Sequence, residues 1–145
     1  MDDIKKAVSR LVRLHETRNP FTIAKREGYT VMYKDWSEIK GFFFKALKRR
    51  FIVINQNMDE LSKRIVCAHE LGHGEIHDIA KIRFLKERTL FPVHSEAERE
   101  ANFFAAELIL DDSFELDFYI DGGQMPDIDI LNKLVEIKRQ HEGKC

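Results

Sequence analysis

Residues 69–73 read His69-Glu70-Leu71-Gly72-His73, and upstream Leu61, Ile65 and Ala68 recur at helical spacing. The stretch from Asn57 to about Gly74 or His77 therefore reads as one helix. Asn57 with Glu60 three residues later has the spacing of a capping box and marks its start. Four residues is slightly more than one helical turn, so the two imidazoles leave the same face, on the stripe that carries the apolar residues. They point into the protein.

Working outward, Phe51 to Asn55 and Gly41 to Leu47 are short apolar runs separated by Lys48-Arg49-Arg50, the pattern of a hairpin. Tyr29, Val31 and Tyr33 alternate in front of them and add a third strand, for a small antiparallel sheet. Ile4, Ala7, Val8, Leu11, Val12 and Leu14 form an amphipathic helix over about 3 to 15, and Thr22 to Glu27 a short helical turn stopped at Gly28. Beyond the histidines comes a polar segment, Asp78 to Thr89. A second capping box, Ser95 with Glu98, then opens a helix whose inner face is Ala101, Phe104, Ala105, Leu108 and Ile109. Gly122, Gly123 and Pro126 punctuate a loop, and Ile128 to Ile137 suggest a last helix. The expected fold is α+β: an N-terminal helix, a three-stranded antiparallel sheet, the histidine helix, a second inward-facing helix and a helical C-terminal region. Residues 1–145 should form one domain, with a core over about 1–112 and an extension over about 113–145.

Composition narrows the function classes. The chain of 145 residues is 43% hydrophobic and 34% charged, with 24 Lys plus Arg against 25 Asp plus Glu, a formal net charge of -1. That balance excludes a disordered polyelectrolyte and argues against direct binding of nucleic acid, which needs a basic excess. The longest apolar runs fall far short of the roughly 20 residues of a membrane span. The start MDDIKKAVSR has no apolar core of a secretion signal, and Cys67 and Cys145 lie far apart, so a reducing cytoplasm is expected.

Six histidines are the unusual part of the inventory. His69 and His73, held one turn apart, can bind a single ion about 2 Å from each ring, with zinc the usual choice. Glu70 lands beside that ion. There it can take the proton of an ion-held water as the water attacks a carbonyl and hand it to the departing amine, which is the chemistry of amide hydrolysis. A catalytic zinc has a third protein ligand. Glu98 shares the inward face of Ala101, Ala105 and Leu108 and is the first choice, although the Ser95 capping box would draw it to the helix start. Glu100, about two-thirds of a turn away, is the competitor. Asn102, one turn after Glu98, could orient a ligand histidine, and His77 could support from the helix end. His94, His141, Tyr119 and Tyr33 are candidates for stabilising an oxyanion. Cys67 points about 200° from His69 and reads as a buried structural thiol.

These residues resemble the ImmA/IrrE family of small metallopeptidases, from the N-terminal helix to about Leu110. The resemblance is carried by Phe51-Ile-Val-Ile-Asn55, by Ala68-His-Glu-Leu-Gly-His73 with His77 beyond, and by Glu98-Arg-Glu-Ala-Asn-Phe-Phe-Ala-Ala-Glu-Leu-Ile109. Glu98 falls on the leading position of the last block. One departure is Leu110-Asp111-Asp112, where the family usually has a proline. The resemblance implies a small zincin-like domain with one Zn2+ on His69, His73 and Glu98 and with Glu70 as general base. It further implies a cytoplasmic zinc endopeptidase that site-specifically cleaves a helix-turn-helix transcriptional repressor, relieving repression of a mobile element or prophage. The alternative is a non-proteolytic antirepressor or partner-binding module that keeps a structural zinc. A peptide substrate would pair with Phe51–Asn55 as an edge strand, and Lys48, Arg49 and Arg50 would receive an acidic segment or form a solvated turn.

Overall fold

A computed structural model describes residues 2–77, 86–87, 95–111 and 128–142. In chain order the elements are α1 (Asp2–His15), α2 (Pro20–Arg26), β1 (Tyr29–Lys34), β2 (Gly41–Ala46), β3 (Arg49–Asn55), α3 (Glu60–Ile76), β4 (Lys86–Glu87), α4 (Glu96–Ile109) and α5 (Ile128–Glu142). The class is α+β, as expected. No helix among the described residues is long and apolar enough to cross a membrane.

The helices form where apolar spacing and caps agree. Helix α1 buries Ile4, Val8 and Leu11, one stripe at intervals of four and three residues. Asn19 caps α2 by accepting from the Phe21 amide, with Pro20 in the first turn, where its missing N–H costs nothing. Helix α3 starts at Asp59 rather than Asn57. The Asp59 carboxylate accepts from the Ser62 amide at 3.2 Å and from the Ser62 hydroxyl at 2.5 Å, and a negative charge is favoured at a helix N-terminus. Asn57 instead bonds back toward Asp35 and the Trp36 carbonyl, and Glu60 pairs outward with Lys63.

The sheet is mixed, not purely antiparallel. Its order is β1-β3-β2-β4, with β2 and β3 antiparallel, β4 antiparallel to β2, and β1 parallel to β3. After β1 the chain skips one place to lay down β2, then turns through Leu47 and Lys48, both at positive φ, and β3 fills the gap. Asn55 stabilises this crossing. Its side-chain amide donates to the carbonyls of Trp36 and Ile39, both at 2.9 Å, and so ties the 35–40 connection to the end of β3.

Because β3 is paired on both sides, Phe51–Asn55 offers no edge for a peptide, and that expectation is corrected. The run Ile52, Val53, Ile54 and Asn55 is buried throughout. An unbroken apolar run of this kind belongs to an interior strand covered on both faces. Phe43 faces the helices and is buried, while on the other face Trp36, Phe42, Phe44 and Phe51 form a continuous aromatic row, the last pair stacked with centroids 4.7 Å apart.

Helix α3 lies at the centre, buried almost all round from Leu61 to His73. Helix α4 packs directly on it through a close approach at Gly72, where a Cβ would stand 3.0 Å from the Phe104 ring. The far end of α4 is held by Arg18, whose guanidinium donates to the Glu107 and Leu108 carbonyls at 2.9 and 3.2 Å and pairs with Asp111 at 2.7 Å. Lys138 of α5 donates to the Leu110 carbonyl. Cations at the carbonyl end of a helix complement its dipole. Leu134 of α5 joins the same apolar core as α1, α3 and α4.

Candidate metal centre

The two capped helices bring their polar residues to one point. On α3, His69 and His73 face each other with Nε2 atoms 3.1 Å apart and rings edge to face at 86°. On α4, Ser95 takes the Glu98 amide at 3.2 Å, which fixes the first turn. The Glu98 carboxylate is not spent on the cap. Its Oε1 lies 2.6 Å from His73 Nε2 and its Oε2 3.7 Å from His69 Nε2. Glu70 stands beside them, Oε1 4.0 Å from His69 Nε2. His69, Glu70, His73 and Glu98 are at most 2% exposed.

Such a set is suited to a cation. Donor atoms of His69, Glu70 and His73 lie within 4.8 Å of one another. Two ring nitrogens each about 2.0–2.1 Å from a tetrahedral zinc stand about 3.3 Å apart. The observed 3.1 Å, with a carboxylate oxygen on each nitrogen's side, fits one ion of that size. Two imidazoles and a carboxylate are also the donor types that zinc takes in open sites. The residues present therefore fit the metal that the sequence motif suggested.

Glu100 points elsewhere. Its Oε1 lies 3.4 Å from His77 Nε2, and His77 Nδ1 lies 3.0 Å from His73 Nδ1. Burial lowers the His77 pKa from its ordinary value, and the neighbouring His73 lowers it further, against the opposing pull of Glu100. Asn102 is buried on α4, one turn after Glu98. Cys67 is a buried free thiol, and burial followed by the nearby Glu70 pushes its pKa up, away from the thiolate that a metal requires.

Of the four oxyanion candidates, Tyr33 is 49% exposed and stacks on Phe21 at 6.4 Å. Burial raises the pKa of its hydroxyl, and Cys67 and Glu60 add to the rise. His94, Tyr119 and the side chain of His141 lie outside the described residues.

One polar cluster escaped the sequence reading. Arg50, grouped there with Lys48 and Arg49, folds inward from β3 while those two stay exposed. It donates to the Tyr29 hydroxyl and to Glu75, both at 3.0 Å, and to the Glu27 carbonyl at 2.5 Å, with its guanidinium 4.0 Å over the Tyr29 ring. The Tyr29 hydroxyl donates to Glu75 at 2.6 Å, and its pKa is raised by burial first and by Glu75 next. The cluster fastens the last turn of α3, just past His73, to the sheet. Periodicity does not reveal it, because its members lie on separate elements.

The chain is similar in sequence to known proteins. Residues 24–135 match a peptidase family described as the IrrE N-terminal-like domain. The chain is 39% identical over 132 residues to immunity region protein 2 of Bacillus phage phi105, covering 89% of this chain and 82% of that one. It is 30% identical over 112 residues to the metallopeptidase ImmA of Bacillus subtilis, covering 75% of this chain and 64% of that one. No solved structure matches.

Proposed function

The chain belongs to the IrrE N-terminal-like peptidase family, the family of metallopeptidases that includes ImmA, and from that premise we propose a zinc-dependent endopeptidase that cleaves a helix-turn-helix repressor at one site. His69, His73 and Glu98 hold one Zn2+, and Glu70 is the general base. The observation that carries this reading is the convergence of the Glu98 carboxylate on both imidazoles with Glu70 alongside. Zinc in such a site polarises the scissile carbonyl and makes water acidic enough to deprotonate near neutral pH. Glu70 takes the proton from the attacking water and delivers it to the amine nitrogen as the peptide bond breaks. Its place next to His69 in sequence keeps its carboxylate beside the reacting water without making it a ligand.

Cleavage of a repressor would relieve repression of a mobile element or prophage, in the cytoplasm where such a repressor meets its operator. The immunity-region name of the phage relative supports this setting. The test is co-expression with a candidate helix-turn-helix repressor and a reporter under its control. Wild type should deplete the intact repressor and raise the reporter, and Glu70→Gln should do neither. A reporter that rises equally with both, over intact repressor, would establish instead a non-proteolytic antirepressor with a structural zinc.

A further inference from the structure

His77 closes α3 as its C-cap, and Glu100 approaches it from the first turn and a half of α4. Together with His73 they form a row. The Nε2 edge of His73 faces His69 and Glu98, and its opposite nitrogen, Nδ1, lies 3.0 Å from His77 Nδ1. The other His77 nitrogen, Nε2, lies 3.4 Å from Glu100 Oε1.

A neutral imidazole carries one ring proton, so this row has only two arrangements. In one, His73 keeps its proton on Nδ1 and donates it to His77 Nδ1, and His77 turns its own Nε2 proton toward the Glu100 carboxylate. In the other, His77 donates from Nδ1 into His73 Nδ1. That would place the His73 proton on Nε2, between His69 and Glu98, and would also leave a bare His77 nitrogen facing a carboxylate. In the first arrangement the unprotonated His73 Nε2 stands 2.6 Å from the Glu98 carboxylate, a juxtaposition of lone pairs that a cation held between them relieves, whereas the second would fill that position with a proton.

We infer that His77, oriented by Glu100, is a positioning residue that fixes the tautomer and ring angle of His73 so that its Nε2 lone pair is aimed at the metal. The inference rests on the metal reading of the same site. A histidine ligand normally donates its second ring proton to a carboxylate, a carbonyl or water. Here an imidazole takes that place, with the carboxylate one ring further out. Glu100, 34% exposed in its side chain, thus stands at the rim while its orienting effect reaches the buried ligand through His77.

The experiment measures zinc affinity of the purified full chain by competition with a chromophoric chelator, alongside the melting temperature of the metal-free protein. His77→Phe keeps a ring of similar size but no acceptor, whereas His77→Asn places an amide oxygen near the position of the lost Nδ1. The expected result is about 10- to 100-fold weaker zinc binding in His77→Phe, with His77→Asn close to wild type. Unchanged affinity in His77→Phe, or equal loss in both variants, overturns the inference. Should His77→Phe fail to fold, Glu100→Ala decides: weakened zinc binding supports the row and unchanged binding overturns it. Wild type that binds no zinc would instead remove the metal reading, and this inference with it.

Discussion

Replacing Gly72 by alanine tests whether the spacing of α3 and α4 sets the metal site. The added Cβ would sit 3.0 Å from Cγ and Cδ1 of Phe104 and 3.1 Å from its Cβ. Carbon atoms rest about 3.5–4.0 Å apart, so α4 must retreat by about 0.5 Å at that contact. Phe104 is fully buried, and its ring has no solvent to swing into. Overpacking of this kind costs about 1–3 kcal/mol, and exchanging glycine for alanine inside a helix returns about 0.8–1.0 kcal/mol, leaving a net loss of about 0–2 kcal/mol. Folding survives. The metal site tolerates less, because ligand distances hold within about 0.2 Å and Glu98 rides on α4, less than two turns before Phe104. Zinc affinity should fall about 10- to 100-fold, the scale seen when ligand support is disturbed. Chelator competition and a melting curve of the metal-free protein measure the two effects separately. A Gly72→Ala protein that melts higher than wild type and binds zinc equally well would refute the reasoning.

Exchanging the two competing carboxylates one at a time should separate their roles. Glu98→Gln is expected to purify with little zinc and Glu100→Gln to retain most of it, by elemental analysis of unchelated protein. Tyr29→Phe removes the hydroxyl that lies between Arg50 and the buried Glu75, and should cost about 1–3 kcal/mol in urea unfolding. Cys67 gives a pH signature. Its thiol is raised above the ordinary value of 9.0, so above that pH the unfolded chain loses a proton that the folded one keeps. This contribution to stability is complete below pH 9.0 and declines as pH rises past it, a loss that Cys67→Ala should abolish in chemical denaturation at alkaline pH.

What could be read from sequence follows from what periodicity encodes. Spacing at three and four residues fixes which side of a helix faces inward, and this sufficed to turn His69, His73 and Glu98 toward one another before their helices were placed. Alternation in a strand also fixes faces, but not neighbours or direction, so it does not encode the parallel pairing of β1 with β3 or the interior position of β3. The unbroken run Phe51-Ile-Val-Ile is the pattern of a doubly covered strand, in keeping with the pairing of β3 on both sides. Asn57 and Glu60 have the spacing of a capping box, yet Asp59 caps α3, because its carboxylate is the one that reaches the Ser62 amide. Arg50 looked like part of a basic turn, because its partners, Tyr29 and Glu75, lie 21 and 25 residues away. Long-range pairing of charged groups leaves no local pattern to find.

The most direct test of the account is the intact mass of a candidate helix-turn-helix repressor after incubation with purified, zinc-loaded chain. Wild type should produce two fragments whose masses sum to the repressor plus one water, from a single peptide bond. Glu70→Gln, carrying the same zinc, should leave the repressor whole. Intact repressor with the zinc-loaded wild type, or equal cleavage by Glu70→Gln, would contradict the account.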